Sequence, residues 1–451
     1  MKRISGAMGR GRGSNTGALL LLPLFLSLPL PSFAQRPTPA PAQSKSMLIA
    51  GGTVHVGDGR VIDEGAVGFR NGVIDFVGYA YGVQTKYDTT IDAKGHQVYP
   101  GFIAVDATLG LTEIDQSRAT DDQDETGDMT PEVRAITAYN SDSRITPTVR
   151  SNGVLLAQIV PREGTITGTS GIVQLDAWNN ASAVYKADDG IHMNWPRAFV
   201  RSGWWAEPGE TSAEKEDEHS KRLRVVREFF TAAKAYVEWS KADPTKVDLR
   251  MAAMTGVFDG SKTLFVNANV AREIQEAVLF AKEMGVKKLV IVGGYDAWRV
   301  ADLLHDNRVD VILRRLHELP LRDDDDVDLP YRLPALLKER NIRFALGNSG
   351  EHERVELRNL PFLAGTASAY GLTKEEALSS ITLDAARILG IDKRCGSLEV
   401  GKEATVFIST GDALDMRTNN VVQAFIQGRH IDLDDHQKQL YRQYERRYEG
   451  R

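Results

Sequence analysis

The chain has 451 residues, a formal net charge of −6, 42% hydrophobic and 26% charged residues. That composition supports a packed core and excludes a largely disordered chain, and the length accommodates one large domain with a smaller companion. An acidic balance with no basic stripe excludes a nucleic-acid partner held through phosphate contacts.

Lys2, Arg3, Arg10 and Arg12 precede the apolar run Ala18 to Pro31, and Ser32-Phe33-Ala34 supplies small residues at the −3 and −1 positions of a signal-peptidase site. The run is shorter than the roughly 20 residues of a membrane span and is broken by Pro23, Pro29 and Pro31. Residues 1–34 therefore read as a signal peptide cleaved after Ala34. The expected product is exported, periplasmic or secreted, with no membrane attachment after cleavage. Residues 35–46, rich in Pro, Ala and Ser, read as a flexible lead-in. Cys395 is the sole cysteine, so neither an intramolecular disulfide nor a multi-cysteine zinc site can form. Any metal would have to rest mainly on His, Asp, Glu or Asn.

From Met47 the pattern is short alternating strands with glycine turns, and Asn71-Gly72 suits a tight hairpin because both residues tolerate positive φ. The same character returns over Gly396 to Leu433. Residues 47–98 and 396–433 are thus expected to pair into one composite β-sandwich domain. Between them, apolar strands alternate with amphipathic helices: Leu264-Phe265-Val266 before a helix near Ala271 to Met284, and Leu289 to Val292 before one near Ala297 to Leu304. Val309 to Leu313 leads to Tyr331 to Lys338, and Arg343 to Leu346 leads to Lys374 to Leu389. Such repetition predicts a parallel sheet in residues 99–395, as a (β/α)8 TIM-like barrel or, alternatively, a doubly wound sheet. Glu207 to Asp243 reads as an exposed charged helix. Residues 434–451 read as a surface helical tail carrying Tyr441, Tyr444 and Tyr448.

Tyr99 to Gly110 reads Y-P-G-F-I-A-V-D-A-T-L-G. It resembles the strand-one signature of the amidohydrolase superfamily, P-G-[FLI]-I-D-x-H-x-H-L-G. Leu372 to Gly390 resembles the helix that follows that family's strand eight, and Gly396 to Ile408 its G-S-L-x-x-G-K-x-A-D-[LV]-V segment. Ile145 to Pro161 resembles strand two of the imidazolonepropionase-like exported subgroup. With Leu48 to Gly78, these segments fall in the family's order over residues 47–433. The resemblance implies a metal-dependent C–N hydrolase on an α/β barrel. Its metal is held by two strand-one histidines, histidines ending strands five and six, and a strand-eight aspartate, often with a bridging carbamylated lysine or glutamate.

Those positions are substituted here. The strand-one histidines correspond to Asp106 and Thr108, the strand-five histidine to Asn267, the strand-six histidine to Gly293, and the aspartate to Asn348. Gln174 lies near the position of a possible lysine. An amide is no general base near neutral pH and glycine offers no side chain, so the usual binuclear zinc site is expected to be missing and no cofactor is expected. A divalent cation enters only if a noncanonical oxygen site forms from Asp106, Thr108, Asn267 and Asn348.

Other candidates remain on the strand-end face. Arg314 and Arg315 could bind an anionic group. His317 and His352 are the candidate catalytic bases of an unorthodox site, set against a structural or solvated role for each. Asp323 to Asp326 with Asp328, and Ala119 to Asp128, are acidic runs whose default is a solvated loop. Trp204 and Trp205 could cover the barrel mouth or pack in the core. Thr167 to Gly171 lacks a nucleophile's context. Two functions follow. One is a barrel without the metal centre that binds a small molecule or partners an active amidohydrolase paralogue or a second copy of itself. The other is an active C–N hydrolase, on an amide, cyclic amide or peptide-like bond, with a noncanonical site.

Overall fold

A computed structural model describes residues 38–114, 117–198, 212–243, 245–350 and 353–449. The expected signal peptide, Trp204, Trp205 and His352 lie outside these residues.

Five strands open the fold: β1 (Met47–His55), β2 (Val61–Arg70), β3 (Val73–Tyr79), β4 (Thr89–Asp92) and β5 (Gln97–Pro100). β2 turns into β3 at Asn71 (φ 50°) and Gly72 (φ 80°), the double left-handed turn that matches strand twist. β1 pairs antiparallel with β2 and, at its other edge, parallel with β4 and β5.

Eight further strands form a second sheet in sequential order: β6 (Phe102–Ala107), β7 (Val154–Ile159), β8 (Ile166–Gln174), β9 (Val184–Asn194), β10 (Thr263–Ala268), β11 (Leu289–Gly293), β12 (Asp310–Leu313) and β13 (Phe344–Leu346). β13 returns beside β6, where Gly347 packs close to the Val105 carbonyl, so the sheet nearly closes into a barrel. Helices such as Ala271–Met284, Leu329–Glu339 and Leu360–Ala369 cover its outside. The chain then rejoins the first sheet through β14 (Val406–Ser409), β15 (Val421–Ile426) and β16 (Arg429–Ile431), with β14 antiparallel to β5. Strands from both ends of the chain thus share one core, in which Phe69 meets Phe425 edge-on at 5.2 Å.

The barrel departs from an all-parallel sheet at one strand. β8 runs antiparallel to both β7 and β9. Only residues 160–165 separate β7 from β8, whereas a parallel return needs a crossover of a dozen residues or more. The hairpin tip therefore sits at the end of the barrel where the other strands finish. A second departure is the helix expected over Lys374 to Leu389, which is divided into Lys374–Ser380 and Leu383–Ile388. The Ile381 carbonyl between them accepts the Ile103 N–H of β6 at 2.9 Å. Residues of the lead-in are tied to the fold, since the Ala40 N–H donates to Asp176 at 2.9 Å and Gln43 Oε1 accepts the Gly72 N–H at 2.7 Å. Among the described residues no helix is long and apolar enough to cross a membrane.

Candidate functional site

Asp106, the penultimate residue of β6, is fully buried and held at φ 52°, a left-handed conformation that aspartate tolerates better than most residues. Its N–H donates to Gln158 Oε1 of β7 at 3.1 Å. The hairpin tip then delivers Arg162. Its Nη1 donates to Asp106 Oδ1 at 2.6 Å and its Nη2 to the Asp106 carbonyl at 2.6 Å. Nη2 also lies 2.8 and 3.0 Å from the two carboxylate oxygens of Glu353. Glu353 in turn accepts the Thr108 N–H at 2.8 Å, the Thr108 hydroxyl at 2.7 Å and the Gly350 N–H at 2.6 Å. One guanidinium thus bridges two buried carboxylates at the barrel mouth.

The neighbouring positions close around this bridge. Arg314 Nη2 donates to Asn267 Oδ1 at 2.6 Å, while its Nε stands 3.9 Å from Asp106 Oδ2. Asn267 Nδ2 donates to Asn194 Oδ1 at 2.7 Å, and Asn194 Nδ2 reaches the Arg162 and Gly164 carbonyls at 2.9 and 2.8 Å, pinning the hairpin tip. Burial alone would raise the Asp106 carboxyl, but the Arg162 and Arg314 guanidinium groups outweigh it and hold it below its ordinary value. Burial likewise opposes charge on Arg162, yet Asp106 and Glu353 hold its proton more tightly than usual.

Beneath this layer lies a buried polar set that sequence inspection missed. Asp189 of β9 accepts Ser170 Oγ at 2.7 Å and Gln158 Nε2 at 2.8 Å, and burial raises its carboxyl above the ordinary range. His192 stacks on Phe265 at 4.4 Å, and burial pushes it down to about 3, so its ring is neutral. Gln158 Nε2 lies 3.5 Å from His192 Nε2, and His192 Nδ1 lies 4.0 Å from Asp106 Oδ1. The available signal was Asp189 and His192 within a segment, Asp189 to Met193, that proves to be buried strand.

The other candidates scatter. Gly293 has φ 98°, and a Cβ there would meet Asn269 Oδ1 at 2.4 Å, so the backbone itself disfavours a side chain. Asn348 is buried two residues beyond the end of β13. Arg315 Nη2 pairs with Glu356 at 3.2 Å. His317 is exposed, with Nε2 2.8 Å from Thr366 Oγ1, and burial together with Arg315 lowers its proton affinity. Gln174 lies at the opposite end of the barrel, because β8 is reversed; there it accepts Arg429 Nη2 at 2.8 Å. In the acidic run, Asp325 accepts the Tyr295 hydroxyl at 2.9 Å and Asp326 faces Arg332.

These donors do not suit a divalent metal centre. Asp106 is shared with a guanidinium, the Asn267 carbonyl oxygen is occupied by Arg314, the Thr108 hydroxyl donates to Glu353, and Gly293 has nothing to offer. Among the described residues, no three His, Cys, Asp or Glu side chains converge as a metal-holding group.

Comparison with known proteins places this geometry. Residues 332–431 match the model of the amidohydrolase family. An amidohydrolase from Thermotoga maritima MSB8 superposes with a TM-score of 0.73 at 25% identity, covering 86% of this chain and 99% of that one. The chain has the amidohydrolase-superfamily fold. An adenosine deaminase from Xanthomonas campestris with bound zinc superposes at 0.51 and 17% identity, over 91% and 99% of the two chains. A prolidase complexed with N-methylphosphonate-L-proline gives 0.51 and 16%, over 86% and 99%. These two likenesses are of fold. No curated protein matches the sequence.

Proposed function

We propose that this chain is an exported, non-catalytic barrel of the amidohydrolase fold, derived from hydrolases of C–N bonds. It serves as a ligand-binding barrel or as the regulatory partner of an active relative or of a second copy. The observation that carries this reading is Arg162, whose guanidinium sits between Asp106 and Glu353 within 3.0 Å of both carboxylates. A hydrolase of this fold needs a Lewis acid to generate its nucleophile from water and a carboxylate to take the proton. The one buried carboxylate on strand one is already neutralised by an arginine, and the strand-eight position carries the amide of Asn348.

The rival reading, an active hydrolase built on Asp106, His317 and His352, draws on the enzymes that share the fold. Two features weigh against it: Asp106 is held ionised as an ion-pair partner, and His317 is bonded to Thr366. The deciding experiment is metal analysis of protein purified without chelators, together with assays on amide, cyclic amide and dipeptide substrates. Substoichiometric metal and no turnover are expected. Stoichiometric zinc or manganese that disappears in Asp106→Ala would sink the proposal. Recovery of a second amidohydrolase on co-purification would identify the regulatory form.

A further inference from the structure

His55 closes β1 of the sheet domain, and its partner Glu375 lies on the barrel helix Lys374–Ser380. Both side chains are mostly buried, at 14% and 18% exposure. Nδ1 lies 2.7 Å from Glu375 Oε1, and Nε2 lies 2.9 Å from Gln97 Oε1 of β5. Both ring nitrogens therefore face acceptor oxygens. A neutral imidazole donates from one nitrogen only, so two donor bonds require the imidazolium. The ring is fixed in this orientation by stacking on Tyr99 at 4.4 Å and 6°, and Tyr99 stacks on Phe407 at 5.4 Å. Glu375 Oε2 is buried without a hydrogen-bond partner, so the charge on this carboxylate is met mainly through Oε1.

We infer that His55 is a proton-operated latch between sheet and barrel: doubly protonated it is ion-paired to Glu375 and bonded to Gln97 at once, and loss of one proton removes the ion pair and leaves a single N–H for two acceptors, weakening the tie.

The charged groups around the ring favour the closed state. Burial opposes the imidazolium, but the hydrogen bonds to Glu375 and Gln97 and the charges of Glu375 and Asp412 outweigh it, so the proton affinity is raised. Asp412, on the segment after β14, is itself paired with Lys374 Nζ at 2.6 Å. Tyr99 contributes no charge at neutral pH: burial raises its hydroxyl, which accepts the Ala413 N–H at 3.3 Å. Because the folded value is raised, the stabilisation is fully present below about 6.5 and is lost as pH rises through the folded value.

Histidine-labelled full-length protein tests this by NMR, with His55→Gln assigning the resonance. The ring should titrate above 6.5, with both ring nitrogens protonated below that titration. Hydrogen exchange of residues 47–55 and 372–383, corrected for intrinsic rates, should show about a tenfold loss of protection per unit of pH between about 6.5 and the folded value, and no further loss above it. That loss should be absent in His55→Gln. If that variant does not fold, Glu375→Gln should lower the titration of the His55 ring. A ring that titrates at or below 6.5, with the Gln97 amide turned to donate, overturns the inference. So does an identical pH dependence in wild type and His55→Gln.

Discussion

Asp106 and Glu353 are 0% and 4% exposed, and both depend on the Arg162 guanidinium. Removing one partner of a buried pair leaves an uncompensated charge, which typically costs about 3–5 kcal/mol. Arg162→Ala should lower unfolding free energy in urea by that amount. Arg162→Lys should recover only part of it, since an ammonium cannot span both carboxylates in one plane. His192 supplies a separate acid-sensitive contribution. Its folded value near 3 lies below the ordinary 6.5, so between these limits the unfolded chain binds a proton that the folded chain does not. Stability should therefore fall as pH drops through 6.5, by roughly 3–5 kcal/mol at pH 3, and His192→Gln should flatten that slope in acid titrations. At this scale the sequence discloses losses better than replacements. On the proposed reading, Asp106, Thr108, Asn267, Gly293 and Asn348 are legible as substitutions because the motif frames around them persist. Arg162 belongs to no motif, and what it bridges depends on where a hairpin tip lands.

The reversal of β8 explains that landing. A parallel third strand would have needed a crossover and would have carried Gln174 to the mouth; the six-residue connection folds back and brings Arg162 there instead. The spacing was visible in the sequence, but regular strand–helix repeats elsewhere pointed to a uniformly parallel sheet. The break at Ile381 was not visible, because an unbroken amphipathic pattern cannot reveal that β6 claims a carbonyl in its middle. β11 shows the converse, a residue choice written into the backbone. Gly293 sits at φ 98° facing Asn269, so Gly293→His should destabilise the fold by about 1–3 kcal/mol in thermal or urea unfolding. An unchanged stability would mean that the strand end relaxes freely and that the position is open to a ligand side chain.

Across the whole molecule, Asp176 joins segments distant in the sequence. It accepts Arg150 Nη1 at 2.7 Å, Arg429 Nη1 at 2.9 Å and the Ala40 N–H at 2.9 Å, linking the barrel floor, the last sheet strand and the lead-in. Asp176→Ala leaves two arginines without this carboxylate and should cost about 3–5 kcal/mol. Fluorescence and circular dichroism should still report coincident transitions if sheet and barrel unfold as one unit. The pairing of the two chain ends was legible from their shared strand pattern, whereas this junction was not, since its members carry no common motif. Arg162 has one further consequence at this scale. A metal ion can be stripped by a chelator, exchanged for a competitor or withheld by a poor medium, and a barrel that depends on one inherits those risks. The cation that ties β6 to the segment after β13 is part of the polypeptide, so it is supplied at synthesis in fixed stoichiometry and cannot dissociate. The shape of the mouth should accordingly be the same in metal-starved and metal-rich surroundings.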